Sequence, residues 1–298
     1  MAQTLLEIWH AAGRSYRHHG HEIFYREEGS GPALLLIHGF PTASWDWRPI
    51  WATLAARYRL IAPDMIGFGF SAKPRDYPYS ILDQADLYEG LLESLGVKQV
   101  HVLAHDYGDT VAQELLARHN ARQADGKPGL KLRSVCFLNG GLFPEAHRPR
   151  LVQKLLISPL GPLLARFMNE RGFGRSFSAV FGPKTQPSPE ELKDFWHLVA
   201  HNDGTRVFPK LIRYMVERRQ HRERWVGALQ NAKIPLRVID GSVDPVSGRH
   251  MVERYRELVP NPDTVLLEGI GHYPQVEHPQ GVLDAYLPFV TGARGGQI

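Results

Sequence analysis

The segment Leu103-Ala104-His105-Asp106-Tyr107-Gly108-Asp109 sets an ionisable side chain between small residues, where an apolar run ends and a helical pattern begins. A small-x-nucleophile-x-small stretch at such a junction is a sharp strand-to-helix turn that thrusts its central side chain out of the backbone. Ala104 and Gly108 suit it, because the chain crosses itself too closely there for larger side chains. The central residue is Asp106 rather than serine. A serine would form an acyl-enzyme from an ester or amide. A carboxylate instead displaces at a saturated carbon and becomes an alkyl ester on the enzyme itself. Taken alone, Asp106 would better suit a helix N-cap, which aspartate fills well; the surrounding motifs reverse that. Asp109, one turn on, reads as an exposed or first-turn residue that complements the helix dipole.

Partners for Asp106 come from two later loops. Asp240-Gly241-Ser242-Val243-Asp244-Pro245 follows a strand pattern, and Gly241 and Pro245 shape a turn around Asp244. Asp244 is therefore the expected acid and Asp240, nearer the strand end, a structural residue. His272 lies in a loop directly after the last strand pattern, so nucleophile, acid and histidine occur in the chain order Asp106, Asp244, His272. His278, beside Pro279, reads as a helix start. An earlier loop, His38-Gly39-Phe40-Pro41, is placed to donate the backbone N–H of Phe40 to an oxyanion, with the N–H of Tyr107 as the second donor. The Phe40-Pro41 bond is a candidate cis peptide.

These loops need a scaffold that brings strand ends together. The runs 33–37, 58–62, 100–104 and 135–138 are short, apolar and closed by turn residues, as strands buried on both faces are. Helical patterns over 44–57, 81–95 and around Val111-Ala112 and Leu115-Leu116 alternate with them. The alternation predicts an α/β chain with a mostly parallel, doubly wound sheet. Residues 14–26 read as two antiparallel edge strands that turn near Gly20. From Phe143 to Trp225 there are eight prolines and no strand pattern, with helical stretches at 151–156, 189–199 and 208–222. Strands return at 236–239 and 264–267. The expected organisation is one core, 1–142 with 228–298, carrying a helical cap over 143–227.

Composition narrows the class. The 298 residues are 43% hydrophobic and 22% charged, with a net charge of +4, which is a soluble globular balance and too mild for a nucleic-acid partner. A single cysteine, Cys136, excludes an intrachain disulfide and a multi-cysteine zinc site, and its apolar run marks it as a buried strand residue. No apolar run approaches the roughly 20 residues that span a bilayer. The N-terminus carries no signal-peptide pattern, so a cytoplasmic protein is expected. The stretch 217–224, with four arginines against two glutamates, reads as a solvated helix face. Phe167, Met168, Phe173, Phe177 and Phe181 suit either cap packing or a pocket wall.

Together, His38-Gly39-Phe40-Pro41, the run from Asp64 to Ser71, His105-Asp106-Tyr107-Gly108 and Gly271-His272 resemble the epoxide hydrolase and haloalkane dehalogenase branch of the α/β-hydrolases. The resemblance implies the α/β-hydrolase fold, no metal or organic cofactor, and a small apolar substrate. Dehalogenases of this branch hold the leaving halide with an Asn or Glu after His-Gly and a Trp after the nucleophile; here those places are Phe40 and Tyr107. Epoxide hydrolases commonly carry His-Gly-Phe-Pro and use lid tyrosines as the acid. Tyr214 resembles the later of these, and the earlier has no tyrosine counterpart, which leaves Trp196, His197 or His201 to replace it. His38, Phe143, Trp196, His197 and His201 are the expected pocket residues. Epoxide hydrolysis is the leading expectation, with haloalkane dehalogenation and non-catalytic binding as alternatives.

Overall fold

A computed structural model describes residues 3–295. Its centre is an eight-stranded sheet of order β1-β2-β4-β3-β5-β6-β7-β8. The strands are β1 (Arg14–His18), β2 (His21–Glu28), β3 (Ala33–Ile37), β4 (Arg59–Pro63), β5 (Gln99–His105), β6 (Lys131–Leu138), β7 (Leu236–Gly241) and β8 (Thr264–Leu267). All pairings from β4 through β8 are parallel, while β1 and β2 run antiparallel at one side. The expected mostly parallel α/β sheet is thus present, and only β1 of the first hairpin is an edge strand, because β2 pairs with β4.

The apolar runs form strands because both faces are covered. Leu34 to Ile37, Val102 to Ala104 and Val135 to Leu138 are fully buried. Burial of a Leu, Ile or Val side chain contributes about 1.5–3 kcal/mol each, and these three strands concentrate that gain at the middle of the sheet. Gly13 is followed directly by the β1–β2 hairpin, whose two-residue turn, His19-Gly20, carries positive φ at both positions.

Strand order reverses between β3 and β5. The chain runs from β3 to β4 on one side and later to β5 on the other, and open α/β sheets place their ligand crevice at such a switch point, outside the strands' C-terminal ends. Ile37 lies level with Ala104, and His105 with Leu138. That register sets the loops carrying Phe40, Asp106 and Asn139 side by side.

Some expected helices change form. The pattern over 44–57 is a 3₁₀ turn, Ser44–Trp47, followed by a helix, Arg48–Ala55. The pattern over 208–222 breaks into Phe208–Leu211, Tyr214–Gln220 and Arg222–Gln230. Helices Leu5–Ala11, Gly161–Phe167 and Glu170–Ser178 carry no clear signal in the sequence reading. Between β6 and β7 the described residues are helical or irregular, with no strand. Among the described residues no helix is long and apolar enough to cross a membrane.

Candidate active site

Asp106 sits at the junction of β5 and the helix Tyr107–Ala124, with φ 47° and ψ −105°. A non-glycine residue held there costs about 1–3 kcal/mol and persists only when its surroundings over-determine it. Several contacts do so. The Asp106 N–H donates to the Leu138 carbonyl at 3.1 Å, and the Asp106 carbonyl accepts from Asp109 N–H at 3.2 Å. A Cβ on Gly108 would stand 2.5 Å from the Ile37 carbonyl, and one on Gly39 would stand 2.6 Å from His105 Nδ1. Both glycines therefore permit the close passage of the two loops. The Asp106 side chain makes no capping bond to its helix. Its Oδ2 instead accepts the Phe40 N–H at 3.1 Å, and the Phe40-Pro41 bond is cis.

Its other oxygen faces two cations. His272 Nε2 lies 4.0 Å from Asp106 Oδ1, too far for a hydrogen bond, and Arg218 Nη2 lies 3.9 Å from the same oxygen. His272 Nδ1 bonds Asp244 Oδ2 at 2.8 Å. Burial would push the imidazole down, but the Asp244 carboxylate, then Asp106, overcomes this and lifts it to about 9. Burial would likewise raise Asp244; His272 and hydrogen bonds to Val246 N–H and Asn139 bring it to about 2. Asp240 takes the other role. It accepts the Asn139 N–H at 2.6 Å, and burial holds its carboxyl well above the ordinary range.

The loops carrying Asp244 and His272 are pinned by residues that carried no such expectation from the sequence. Asn139 Nδ2 donates to Asp244 Oδ2 at 2.9 Å, and Ser247 Oγ donates to the same oxygen at 2.9 Å. Glu277 accepts the N–H groups of Gly271 and Tyr273 on either side of His272, at 2.8 and 2.9 Å. The His272 carbonyl accepts from His105 Nε2 at 2.7 Å.

Behind Asp106 lies a buried guanidinium. Arg218 is 2% exposed, donates to the Asp106 carbonyl at 3.0 Å and to Thr110 Oγ1 at 2.6 Å, and stacks 4.4 Å from the Tyr214 ring. The stretch 217–224 is thus not uniformly a solvated face: Arg222 and Arg224 pair with Glu145 and Glu114, while Arg218 turns inward. Tyr214 and Arg218, four residues apart on one helix, are the two buried members of that helix. That i, i+4 spacing was the available signal. Asp109 is fully buried rather than exposed, and burial raises its carboxyl well above the ordinary range.

Asp106 and His272 open onto a cavity of about 420 Å³, walled mainly by apolar side chains that include Phe40, Leu156, Phe173, Phe177, Val180 and Phe208. That volume suits a small apolar ligand. The expected pocket residues do not meet there. His38 is fully buried in its own loop, accepting the Met65 N–H at Nε2 and pairing Nδ1 with the Gly39 carbonyl, so it fixes backbone. Phe143 is fully buried beside Tyr255. Trp196, His197 and His201 line a separate depression with Glu170 and Lys193. The helix Pro189–Ala200 buries Phe195, Leu198 and Val199, which leaves Trp196 and His197 off its inward face. Tyr214 is fully buried against Tyr107 and Phe40 rather than on the cavity wall, and its hydroxyl has no protein partner among the described residues. Burial, then the Asp106 carboxylate, holds its phenol well above the ordinary value.

Comparison with known proteins agrees with this architecture. The mouse (Mus musculus) mesoderm-specific transcript protein is 44% identical over 297 residues, spanning 96% of this chain and 88% of that protein. Solved structures of like fold include a haloalkane dehalogenase DbeA loop variant from Bradyrhizobium elkanii, with TM-score 0.78 and 22% identity over 95% of this chain and 97% of that one. An epoxide hydrolase, CorEH, superposes with TM-score 0.76 and 20% identity over 94% and 98%. A family model described as alpha/beta hydrolase fold matches residues 32–279. The chain belongs to that family and is a hydrolase of the α/β fold.

Proposed function

We propose that the protein hydrolyses a small apolar epoxide to a diol through a covalent ester on Asp106. One observation carries the reading: the elbow carboxylate is uncapped, one oxygen held by an amide and the other facing His272. Asp106 Oδ1 attacks an epoxide carbon, the carbon–oxygen bond breaks, and Tyr214 supplies a proton to the leaving alkoxide. Tyr214 suits that role because its phenol stays protonated under the influence of burial and the Asp106 carboxylate; it packs against Phe40 and Tyr107 off the cavity wall, so the donation requires its ring to swing toward the cavity. Water then attacks the ester carbon and gives its proton to His272 Nε2. Negative charge gathers on Oδ2, where the Phe40 N–H already points, and the Tyr107 N–H at the helix start is the second donor. Cleavage of the Cγ–Oδ1 bond releases the diol, which takes the proton from the imidazolium; the proton left on the regenerated Asp106 carboxyl is lost to solvent as Tyr214 regains one.

Arg218 acts here as a positioning residue. It holds the strained elbow through the Asp106 carbonyl and sets a fixed positive charge behind the nucleophile. The test is His272→Gln incubated with a panel of terminal and aryl epoxides. Intact-protein mass spectrometry should show the mass of one added substrate, and peptide mapping should place it on Asp106. The same treatment of Asp106→Ala should add nothing. An unmodified His272→Gln protein, with epoxide turnover retained in Asp106→Ala, would overturn the covalent route.

A further inference from the structure

Seven of the ten exposed large apolar side chains among the described residues fall within residues 151–167. Leu151 is 72% exposed, Leu160 59%, Leu163 56% and Phe167 69%. They stand on, or in the case of Leu160 just before, two short helices, Leu151–Leu156 and Gly161–Phe167, anchored inward by Leu156 and Ala165. Gly161 lets the second helix start close against the first: a Cβ there would lie 2.0 Å from the Leu156 carbonyl. Scattered exposed leucines need no explanation, but a contiguous apolar patch marks an interaction surface.

Charge around the patch is one-sided. Residues 148–175 hold six cations (Arg148, Arg150, Lys154, Arg166, Arg171, Arg175) and one anion, Glu170, a balance of 6 − 1 = +5 against +4 for the whole chain. Some arginines elsewhere sit in ion pairs, as Arg118, Arg222 and Arg254 do, while among the described residues exposed Arg17, Arg57, Arg213 and Arg219 do not. Exposed Lys154, Arg166, Arg171 and Arg175 take part in none among the described residues. Apolar side chains interspersed along the chain with exposed, unpaired cations suit a surface that lies in a lipid interface.

We propose that this face docks on an anionic phospholipid bilayer. The leucines and Phe167 enter the boundary between headgroups and acyl chains, and the unpaired cations meet lipid phosphates. Leu151, Leu155, Leu164 and Phe167 also line the cavity that reaches Asp106 and His272. Docking therefore sets the mouth of that cavity against the membrane, so that an apolar substrate dissolved in lipid enters without crossing water. A second copy of the chain fits less well, because a two-fold contact would oppose one +5 surface to another. The docking is peripheral, consistent with the lack of any helix able to span a bilayer among the described residues. Because it needs no turnover, it stands or falls apart from the chemistry proposed above.

The test is flotation of the full chain with vesicles of phosphatidylcholine alone or mixed equally with phosphatidylserine. Wild type should float with the mixed vesicles and weakly with phosphatidylcholine alone. Leu160→Asp with Leu163→Asp, neither on the cavity wall, should lower the bound fraction by more than about tenfold with unchanged circular dichroism. Lys154→Gln with Arg166→Gln and Arg171→Gln should abolish the preference for phosphatidylserine, as should high salt. Failure of wild type to float, or flotation unchanged by the two aspartates, overturns the proposal. So does a wild-type dimer in light scattering that the aspartates dissolve while vesicles bind neither form, since the surface would then join two copies.

Discussion

At the C-terminal edge of the sheet, Asp106, His272 and Asp244 are at most 5% exposed, and each is fixed by hydrogen bonds to loops that buried strands hold in register. Past Asp106 in the chain, between β6 and β7, short helices leave leucines in solvent and meet the sheet edge mainly through apolar contact. The first region specifies which bond can be made. The second decides what reaches it and from where. Their energetics differ accordingly: the edge stores strain and charge in a low-dielectric setting, while the helices carry unrealised apolar burial.

Two side chains blur this division, and they offer the sharpest ways to break it. Tyr214 and Arg218 belong to the helical stretch, yet Arg218 bonds the Asp106 carbonyl and Tyr214 stacks on Arg218. If Tyr214 supplies the proton, Tyr214→Phe should lower kcat for epoxides about 10²- to 10⁴-fold while leaving ester breakdown intact in single-turnover experiments. The same variant should leave any displacement of bromide from a bromoalkane unchanged, since halide leaves without a proton. Equal loss on both substrates would reduce Tyr214 to packing and restore a clean split between chemistry and enclosure.

A smaller effect is expected at Arg218. Arg218→Met keeps most of the aliphatic volume but removes the bond to the Asp106 carbonyl and the charge 3.9 Å from Oδ1. Ester formation should slow about ten- to a hundredfold, in line with the loss of one charge-assisted hydrogen bond plus geometric slack at the nucleophile. Ester breakdown, which His272 drives, should change less. A variant with both steps unaltered would show that the elbow is fixed by the sheet edge alone.

How far each region could be read from residues follows the same contrast. The cluster of Asp106, Asp244 and His272 was legible because each stands on a loop after a strand that announces itself as a short apolar run, although β8 before His272 is only half-buried. The choice of Asp244 over Asp240 rested on Gly241 and Pro245, and its bond to His272 is present in the structure. The pocket was not legible. Proline and glycine break the helices of 143–227 into short pieces whose mutual packing no local pattern encodes, so His38, Phe143, Trp196, His197 and His201 were assigned to a wall they do not line. Arg218 was hidden in a run of charge, although its i, i+4 partner Tyr214 was visible.

The mildest test touches only the sheet edge. Ester breakdown requires a neutral imidazole, and in the resting protein His272 is lifted to about 9, with Asp106 among the causes after Asp244. Esterification removes the Asp106 charge, so that part of the lift disappears and the imidazole in the intermediate must titrate below about 9. The sign is therefore fixed: below its pKa in the ester, the breakdown rate should rise about tenfold per pH unit, then level off at a pH lower than the value NMR gives for His272 in the free protein. Asp244→Asn removes the larger of the two carboxylate causes and should move that plateau lower still, while slowing the step because the ring loses its orienting partner. If breakdown instead levelled off at or above the free-protein value, Asp106 would not be the group that the substrate neutralises, and the nucleophile would have to be sought elsewhere along the edge.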